Sequence, residues 1–429
     1  MSLTLAQFTS GSVAGFAGGS GLLETLLAFV LGTEVTAAAT SGSGVGPYTA
    51  SLSTPVGLGR TVLKYTISSV DYEAQDDGTG NFTGTQISSA SVNHSTGAFT
   101  VTFGTTPDSA PTLDYLYGNP GQDWRLMVKQ NTKDDTIPTP AEPFGSAMKE
   151  CILHNTGLSG AENVLIGFRE WQYPASNAYG WDLTGYLSYT SGMLWQESLD
   201  DMAQDTYSGT WEHWSACPML PLADDTMYYW FNSNQQRITG AVKISSNYES
   251  FYLGFGNRYG NPEDYPNPLF ICGSAVGDKS YTDSVSTTHA FVPAAGGGGK
   301  HHSVLPDNSW SVQWGTGIGQ LQTILHPLHQ WTDAGTLYQS PSKKENLLSP
   351  VIASRQSRRF TLFELDGLYH VAGIGVQSED QIRATDGIKY RVFQNITNVD
   401  DNDFMCIAEE EFTTTSTSTT TSSSTTTTS

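Results

Sequence analysis

The sequence predicts a mainly β, multi-domain protein of β-sandwich-like architecture with one N-terminal helix. Three observations carry that expectation. Only 14% of the 429 residues are charged, while Gly (44), Trp (10) and Tyr (20) are plentiful; a helical bundle needs more Glu, Lys, Leu and Ala. Short β-branched and aromatic runs recur between Gly, Asn and Asp turns along most of the chain. A single apolar run, Leu22–Leu31 (LLETLLAFVL), reads as a helix.

Residues 1–34 form an N-terminal arm and helix. The Gly/Ser/Ala-rich residues 1–20 carry no periodicity, which predicts an extended segment or one docked on a partner. Ser20 is placed to cap the helix and Gly32 to end it. The helix is apolar almost all round, so it has to be buried.

Residues 35–118 read as a small inserted β-sandwich module. Its expected strands are Tyr48–Leu52, Thr61–Ile67, Ser89–Asn93 and Gly97–Phe103, with turns at Asp76–Asn81 and Ser95–Gly97. The Asp76-Asp77-Gly78 turn lacks the spacing of a calcium loop and the closing Glu, so a solvated turn is the expectation.

Residues 119–410 form the main β domain, and residues 411–429 a Thr/Ser-rich tail without apolar residues to bury beyond Phe412. A strand at Gly121–Lys129 puts Trp124, Leu126 and Val128 on one face, and Cys151–His154, Asn163–Glu170 and Trp181–Tyr189 continue the texture. The densest aromatic stretch is Tyr228–Ser274. In it, Ile238–Ile244 and Tyr248–Phe255 predict a hairpin through Ser245–Asn247, with Val242 and Ile244 near Phe251 and Leu253. Glycines and prolines then predict a long ordered loop at Asn257–Asn267, whose Tyr259 and Tyr265 suit packing or an interface. Gly273–Gly319 reads as irregular. Arg358–Leu365, Leu368–Ile374 and Ile388–Gln394 read as a closing meander with hairpin turns at Asp366-Gly367 and Asp386-Gly387.

The formal net charge of −22 repels a phosphate backbone and argues against nucleic-acid binding. Leu22–Leu31 contains Glu24 and is too short to span a bilayer; neither a signal peptide nor membrane insertion is expected. Cys151, Cys217, Cys272 and Cys406 are dispersed, without a C-x-x-C pair, and read as buried thiols. His301-His302 and His326-Pro-Leu-His329 lack a third ligand and read as solvated loop histidines. No hydrolase elbow, phosphate loop or dinucleotide fingerprint occurs. No catalytic residue, metal or cofactor is therefore expected. Among the acids, Glu170, Asp182, Glu212, Asp224, Asp225, Glu364 and Asp366 lie in sequence contexts from which a glycosidase pair is drawn, but such a pair needs a cleft. Asp366 is better read as a turn residue. The aromatic group Trp211, Trp214, Tyr228 and Trp230, with Tyr259 and Tyr265, supplies candidates for a subunit interface or a glycan-stacking platform.

One order of segments resembles a known group. The helix at Leu22–Leu31 is followed by Asp123-Trp-Arg-Leu-Met-Val, by Tyr228-Tyr-Trp-Phe-Asn-Ser-Asn-Gln-Gln-Arg-Ile and by Phe251–Phe270. It closes on Tyr390-Arg-Val-Phe-Gln-Asn-Ile and an acidic segment. Over residues 120–410 this is similar to tailed-bacteriophage virion structural proteins of the tail, baseplate or head–tail appendage, and the module at 35–118 resembles inserts of phage surface proteins. The Thr/Ser tail departs from that pattern. The resemblance implies a homo-oligomeric particle component that contacts other virion proteins and assembles in the host cytoplasm. Two other expectations stand beside it: a carbohydrate-binding adhesin that recognises a host surface glycan, and a secreted glycoside hydrolase.

Overall fold

The hairpin in the middle of the chain sets the architecture. The computed structural model describes residues 7–15, 21–54, 56–77, 79–117, 124–130, 146–173, 178–189, 218–276, 301–312, 323–326, 347–348, 351–354, 360–372, 377–383, 388–394 and 403–410. Arg237–Ile244 and Asn247–Phe255 pair antiparallel around Ser245-Ser246, with Ser245 at φ 56°. The expected hairpin forms, but its register differs from the expected one. Ile238 faces Leu253 and Val242 faces Glu249, because the tight turn begins at Ser245. Gly240 sits opposite Phe251, and a Cβ there would lie 2.6 Å from Phe231 and 2.8 Å from Phe251. Glycine lets those two rings meet.

That hairpin is the middle of a seven-stranded sheet in the order Gln7–Val13, Met227–Ser233, Arg237–Ile244, Asn247–Phe255, Leu269–Gly273, His301–Val304 and Trp310–Val312. The arm is thus partly docked on the chain's own sheet: Gln7–Val13 pairs along Ser233–Met227. Gly273–Gly319 is less irregular than its glycines imply, since it contributes two of these strands.

A six-stranded sheet faces the central one. Its order is Ala275–Val276, Pro218–Leu222, Ala178–Tyr186, Val164–Tyr173, Ser146–Asn155 and Arg125–Gln130. Between the sheets, Phe168, Trp181 and Phe251 pack edge to face at 5.6–6.2 Å between ring centres. Leu22, Leu23, Leu26, Leu27 and Val30 of the helix join this core. Each such side chain contributes about 1.5–3 kcal/mol on burial. The helix is capped by Gly21 without a side-chain hydrogen bond; Ser20 lies outside the described residues. It ends at Gly32, φ 87°.

The opposite face of the central sheet is covered too. Trp230, Ala241, Tyr252, Phe270 and Cys272 pack against Leu362, Phe363, Leu365, Phe393, Met405 and Ile407. Burial on both faces leaves every residue from Glu249 to Phe255 buried. The covering residues belong to two sheets: Asn257–Arg258, Phe360–Glu364, Val351–Ser354, Thr323–His326; and Leu347–Leu348, Leu368–Ala372, Asp403–Glu410, Lys389–Gln394, Gln381–Arg383. The expected closing meander is therefore corrected. Phe360–Glu364 and Leu368–Ala372 lie in different sheets, and Asp366-Gly367 turns the corner between them, with Gly367 at φ 67°. Asp403–Glu410 inserts between Leu368–Ala372 and Lys389–Gln394. Gln381–Arg383 does pair with Lys389–Gln394, but the register leaves five residues between Arg383 and Lys389, and Asp386-Gly387 lies outside the described residues.

Residues 33–117 build a separate core between a four-stranded sheet (Thr33–Ala39, Thr112–Tyr117, Val56–Ile67, Val70–Gln75) and a three-stranded one (Tyr48–Ser51, Ala98–Phe103, Ile87–Val92). Thr33 pairs with Tyr117, so the chain enters and leaves this unit side by side. Asp76 is not solvated as expected. It is buried, taking hydrogen bonds from Gly80 N (3.0 Å) and engaging His94 Nε2 at 2.6 Å. His302 is likewise buried, within a strand of the central sheet. Cys151, Cys272 and Cys406 are buried; Cys217 and the Thr/Ser tail lie outside the described residues. No helix among the described residues is long and apolar enough to cross a membrane.

Candidate functional site

The six aromatic candidates separate by burial. Trp230 is 9% exposed, with Phe393 5.0 Å and Tyr248 6.5 Å from its ring centre. Tyr265 is buried, its ring beside Phe363 and its hydroxyl donating to Val304 O. Those two belong to the core. Tyr228 and Tyr259 are 50% and 57% exposed, the most exposed aromatic side chains among the described residues. Trp211 and Trp214 lie outside the described residues.

Tyr228 stands on the same strand face as Trp230, at one end of the seam between the central sheet and the C-terminal sheets. Register places Ser12, Tyr228, Lys243 and Tyr248 in one row across four strands. Above the row comes Glu379, a residue held at φ 69°. Its N–H donates to Val392 O (2.7 Å) and its carbonyl accepts from Arg391 Nη1 (2.8 Å). So fixed, its carboxylate accepts hydrogen bonds from Lys243 Nζ and from Tyr248 OH (2.6 Å). The Lys243 ammonium also lies 5.4 Å from the Tyr248 ring centre. The hydrogen bond to Glu379 raises the Lys243 pKa. Burial works against the Glu379 carboxylate, but Lys243 and Tyr248 outweigh it and hold that pKa below the usual range. Burial raises the Tyr248 phenol. Arg391 pairs with Glu409 at 2.5 Å beside it. Both bases are thus paired with acids, and the row that carries Lys243 and Tyr248 also carries the exposed Tyr228 ring.

Tyr259 is carried by the long loop that the prolines and glycines predict. Arg258 ties this loop together, donating to Tyr265 O (3.1 Å) and Pro266 O (3.2 Å) and pairing with Glu162. The Tyr259 hydroxyl donates to Glu364 Oε2 at 3.1 Å, which leaves the ring fixed and facing outward.

Polar groups inside the fold form joints. Arg237, fully buried, donates to Asp366 Oδ2 (3.2 Å) and to Asn232 Oδ1; Asn234 Nδ2 donates to the same Asp366 oxygen at 2.7 Å. Asn232 Nδ2 donates to Ala408 O (2.6 Å), so this network ties the central sheet to both C-terminal sheets. Asp366 is more than a turn residue: it is the partner of a buried guanidinium. The Trp124 indole donates to Ser233 Oγ (3.1 Å) and Asn234 O (2.9 Å) at the same place. On the six-stranded sheet, register aligns Glu150, Arg169 and Asp182, all buried, with Arg169 Nε 3.0 Å from Glu150 Oε1.

Of the acids considered for glycoside hydrolysis, Glu170 and Asp182 are buried, Asp182 in the row with Arg169, and Glu364 and Asp366 are hydrogen-bonded as described. Asp224 and Asp225 are exposed, and Glu212 lies outside the described residues. No cluster of three or more His, Cys, Asp or Glu able to hold a metal ion occurs among the described residues. Sequence reasoning missed Lys243, Glu379, Arg237 and Trp124 as partners because their neighbours are remote in the chain. It also missed Glu249, a buried carboxyl whose pKa burial pushes up to about 8, with the hydrogen bond from Ser274 Oγ acting the other way. Its signal was the lone acid within the apolar run Tyr248–Phe255. No family model matches the chain, and neither does any curated protein.

Proposed function

We propose that this chain is a structural subunit of a tailed-bacteriophage virion, a tail, baseplate or appendage component that acts through contacts between subunits and carries out no reaction. The resemblance of Tyr228–Ser274 and Tyr390–Asn395 to such proteins supplies the particle. The observation that supports contact as the mode of action is the loop at 256–268, which holds Tyr259 rigid and outward. An aromatic ring whose conformational freedom is already spent makes an effective interface anchor. Most other large aromatics among the described residues are spent on joining β-layers.

The occupant of that surface is a neighbouring copy of the same chain. Native mass spectrometry of the purified protein tests this at micromolar concentration. The wild type is expected as a defined homo-oligomer, and Tyr259→Arg as a monomer with an unchanged circular dichroism spectrum. A monomeric wild type, or a Tyr259→Arg variant that assembles normally, contradicts it.

A further inference from the structure

We infer that the seam at Tyr228 is a saccharide-binding site, taking a neutral sugar ring against the Tyr228 face with its hydroxyls held by Glu379 and Lys243. The inference goes beyond the structural role and does not depend on where the chain sits in a particle.

Four features of the seam point to this ligand chemistry. First, Tyr228 is half exposed on a strand whose neighbours Trp230 and Phe231 are buried, and its hydroxyl has no hydrogen-bond partner among the described residues. Its ring offers a flat apolar face to the C–H side of a pyranose, with water around the phenol. Second, the Lys243 ammonium and the Tyr248 phenol, one and two strands away in the same cross-strand row, converge on the carboxylate of Glu379, which comes from the turn at 377–380. Adjacent sugar hydroxyls each both donate and accept, and a paired acid and base satisfies such a diol in a way that neither does alone. Third, the charges cancel locally, Lys243 with Glu379 and Arg391 with Glu409. A balanced site on a chain of net charge −22 favours a neutral ligand over an anionic one. Fourth, Glu379 sits in the left-handed backbone region without being glycine, pinned by Val392 and Arg391. The carboxylate is therefore held in place before any ligand arrives, which lowers the cost of binding.

The plainer account makes the Lys243–Glu379 pair a clasp between sheets. A clasp explains the ion pair, but leaves the exposed Tyr228 ring in the same row as an unrelated accident.

Trp230 is the next residue on Tyr228's face of the strand and packs beside Tyr248, so its emission reports on the site. The test titrates the purified full chain with cellohexaose, maltohexaose and N,N′-diacetylchitobiose oligomers as neutral probes and with hexagalacturonate as the anionic one, read by tryptophan fluorescence and calorimetry. At least one neutral probe is expected to bind with Kd of about 1 mM or tighter. Tyr228→Ala is expected to weaken it about tenfold or more, and Glu379→Gln to weaken it measurably with an unchanged fold by circular dichroism. Tyr259→Ala, on the other exposed tyrosine, leaves it unaltered. Absence of binding by every neutral probe, preference for hexagalacturonate, or binding that survives Tyr228→Ala overturns the inference. Because Tyr228 and Tyr259 lie on separate surfaces, failure here and failure of oligomer assembly are read independently.

Discussion

Glu249→Gln is predicted to make the protein less sensitive to alkaline pH, by an amount the structure bounds. Glu249 is 3% exposed on a strand of the central sheet, opposite Val242, with Ser274 Oγ as its hydrogen-bond partner. Burial raises its pKa from an ordinary 4.5 to about 8. Below the unfolded value both states carry the proton, and the group contributes no pH dependence. Between 4.5 and about 8 the unfolded chain releases the proton while the folded chain keeps it, so the folded state binds more protons and stability falls as pH rises. Above about 8 the loss is complete. A shift of that size corresponds to about 5 kcal/mol at most, a large part of the ~5–15 kcal/mol that holds a domain together. Urea unfolding followed by tryptophan fluorescence at a series of pH values from 5 to 9 checks it. The wild type is expected to lose stability steadily relative to Glu249→Gln, the two being close at pH 5 and several kcal/mol apart at pH 9. Parallel profiles for the two proteins, or a wild type that gains on the variant as pH rises, would refute the reasoning.

Other predictions concern the joints of the fold. Arg237→Met removes the guanidinium from Asp366 and Asn232 at the meeting of three sheets, leaving Asp366 only its bond from Asn234, and should cost about 2–3 kcal/mol in chemical denaturation. Gly367→Ala should cost about 2 kcal/mol or more, since Gly367 is at φ 67° and a Cβ there runs into the Arg237 guanidinium, which is fully buried and held by two partners. Trp124→Phe removes the donor to Ser233 and Asn234 and shrinks a buried indole to a phenyl, and should cost about 2 kcal/mol or more by the same measurement. Residues 33–117 expressed alone should give a cooperative thermal transition, because their core is self-contained and the two ends pair at Thr33 and Tyr117.

How much of this was legible in the sequence depended on the range of the interaction. The hairpin at Ser245-Ser246, the helix and the ordered loop after Phe255 follow from local turn chemistry and periodicity, and those were readable. Strand partners were not. Gln7–Val13 is rich in Gly, Ser and Thr and gains its place chiefly through backbone pairing with Met227–Ser233, with Phe8 and Val13 its two side chains at the cores, too sparse a pattern to read as a strand. Asp366-Gly367 has the composition of a hairpin turn, yet the flanking strands enter different sheets because Asp403–Glu410, from far along the chain, takes the neighbouring position. The aromatic candidates were recognisable as important but not as to which face water: Tyr228 and Trp230 share a strand face, and Phe393 and Tyr248 pack on the second. Glu379 came from outside any motif, and its role rests on a backbone conformation that composition does not reveal.

Quantitative mass spectrometry of purified phage particles from the producing host tests the central claim most directly. The account predicts this chain inside washed particles, at a reproducible copy number that is a multiple of the order of its homo-oligomer. Its absence from particles, or its recovery only as a soluble factor that degrades polysaccharide, would contradict the account.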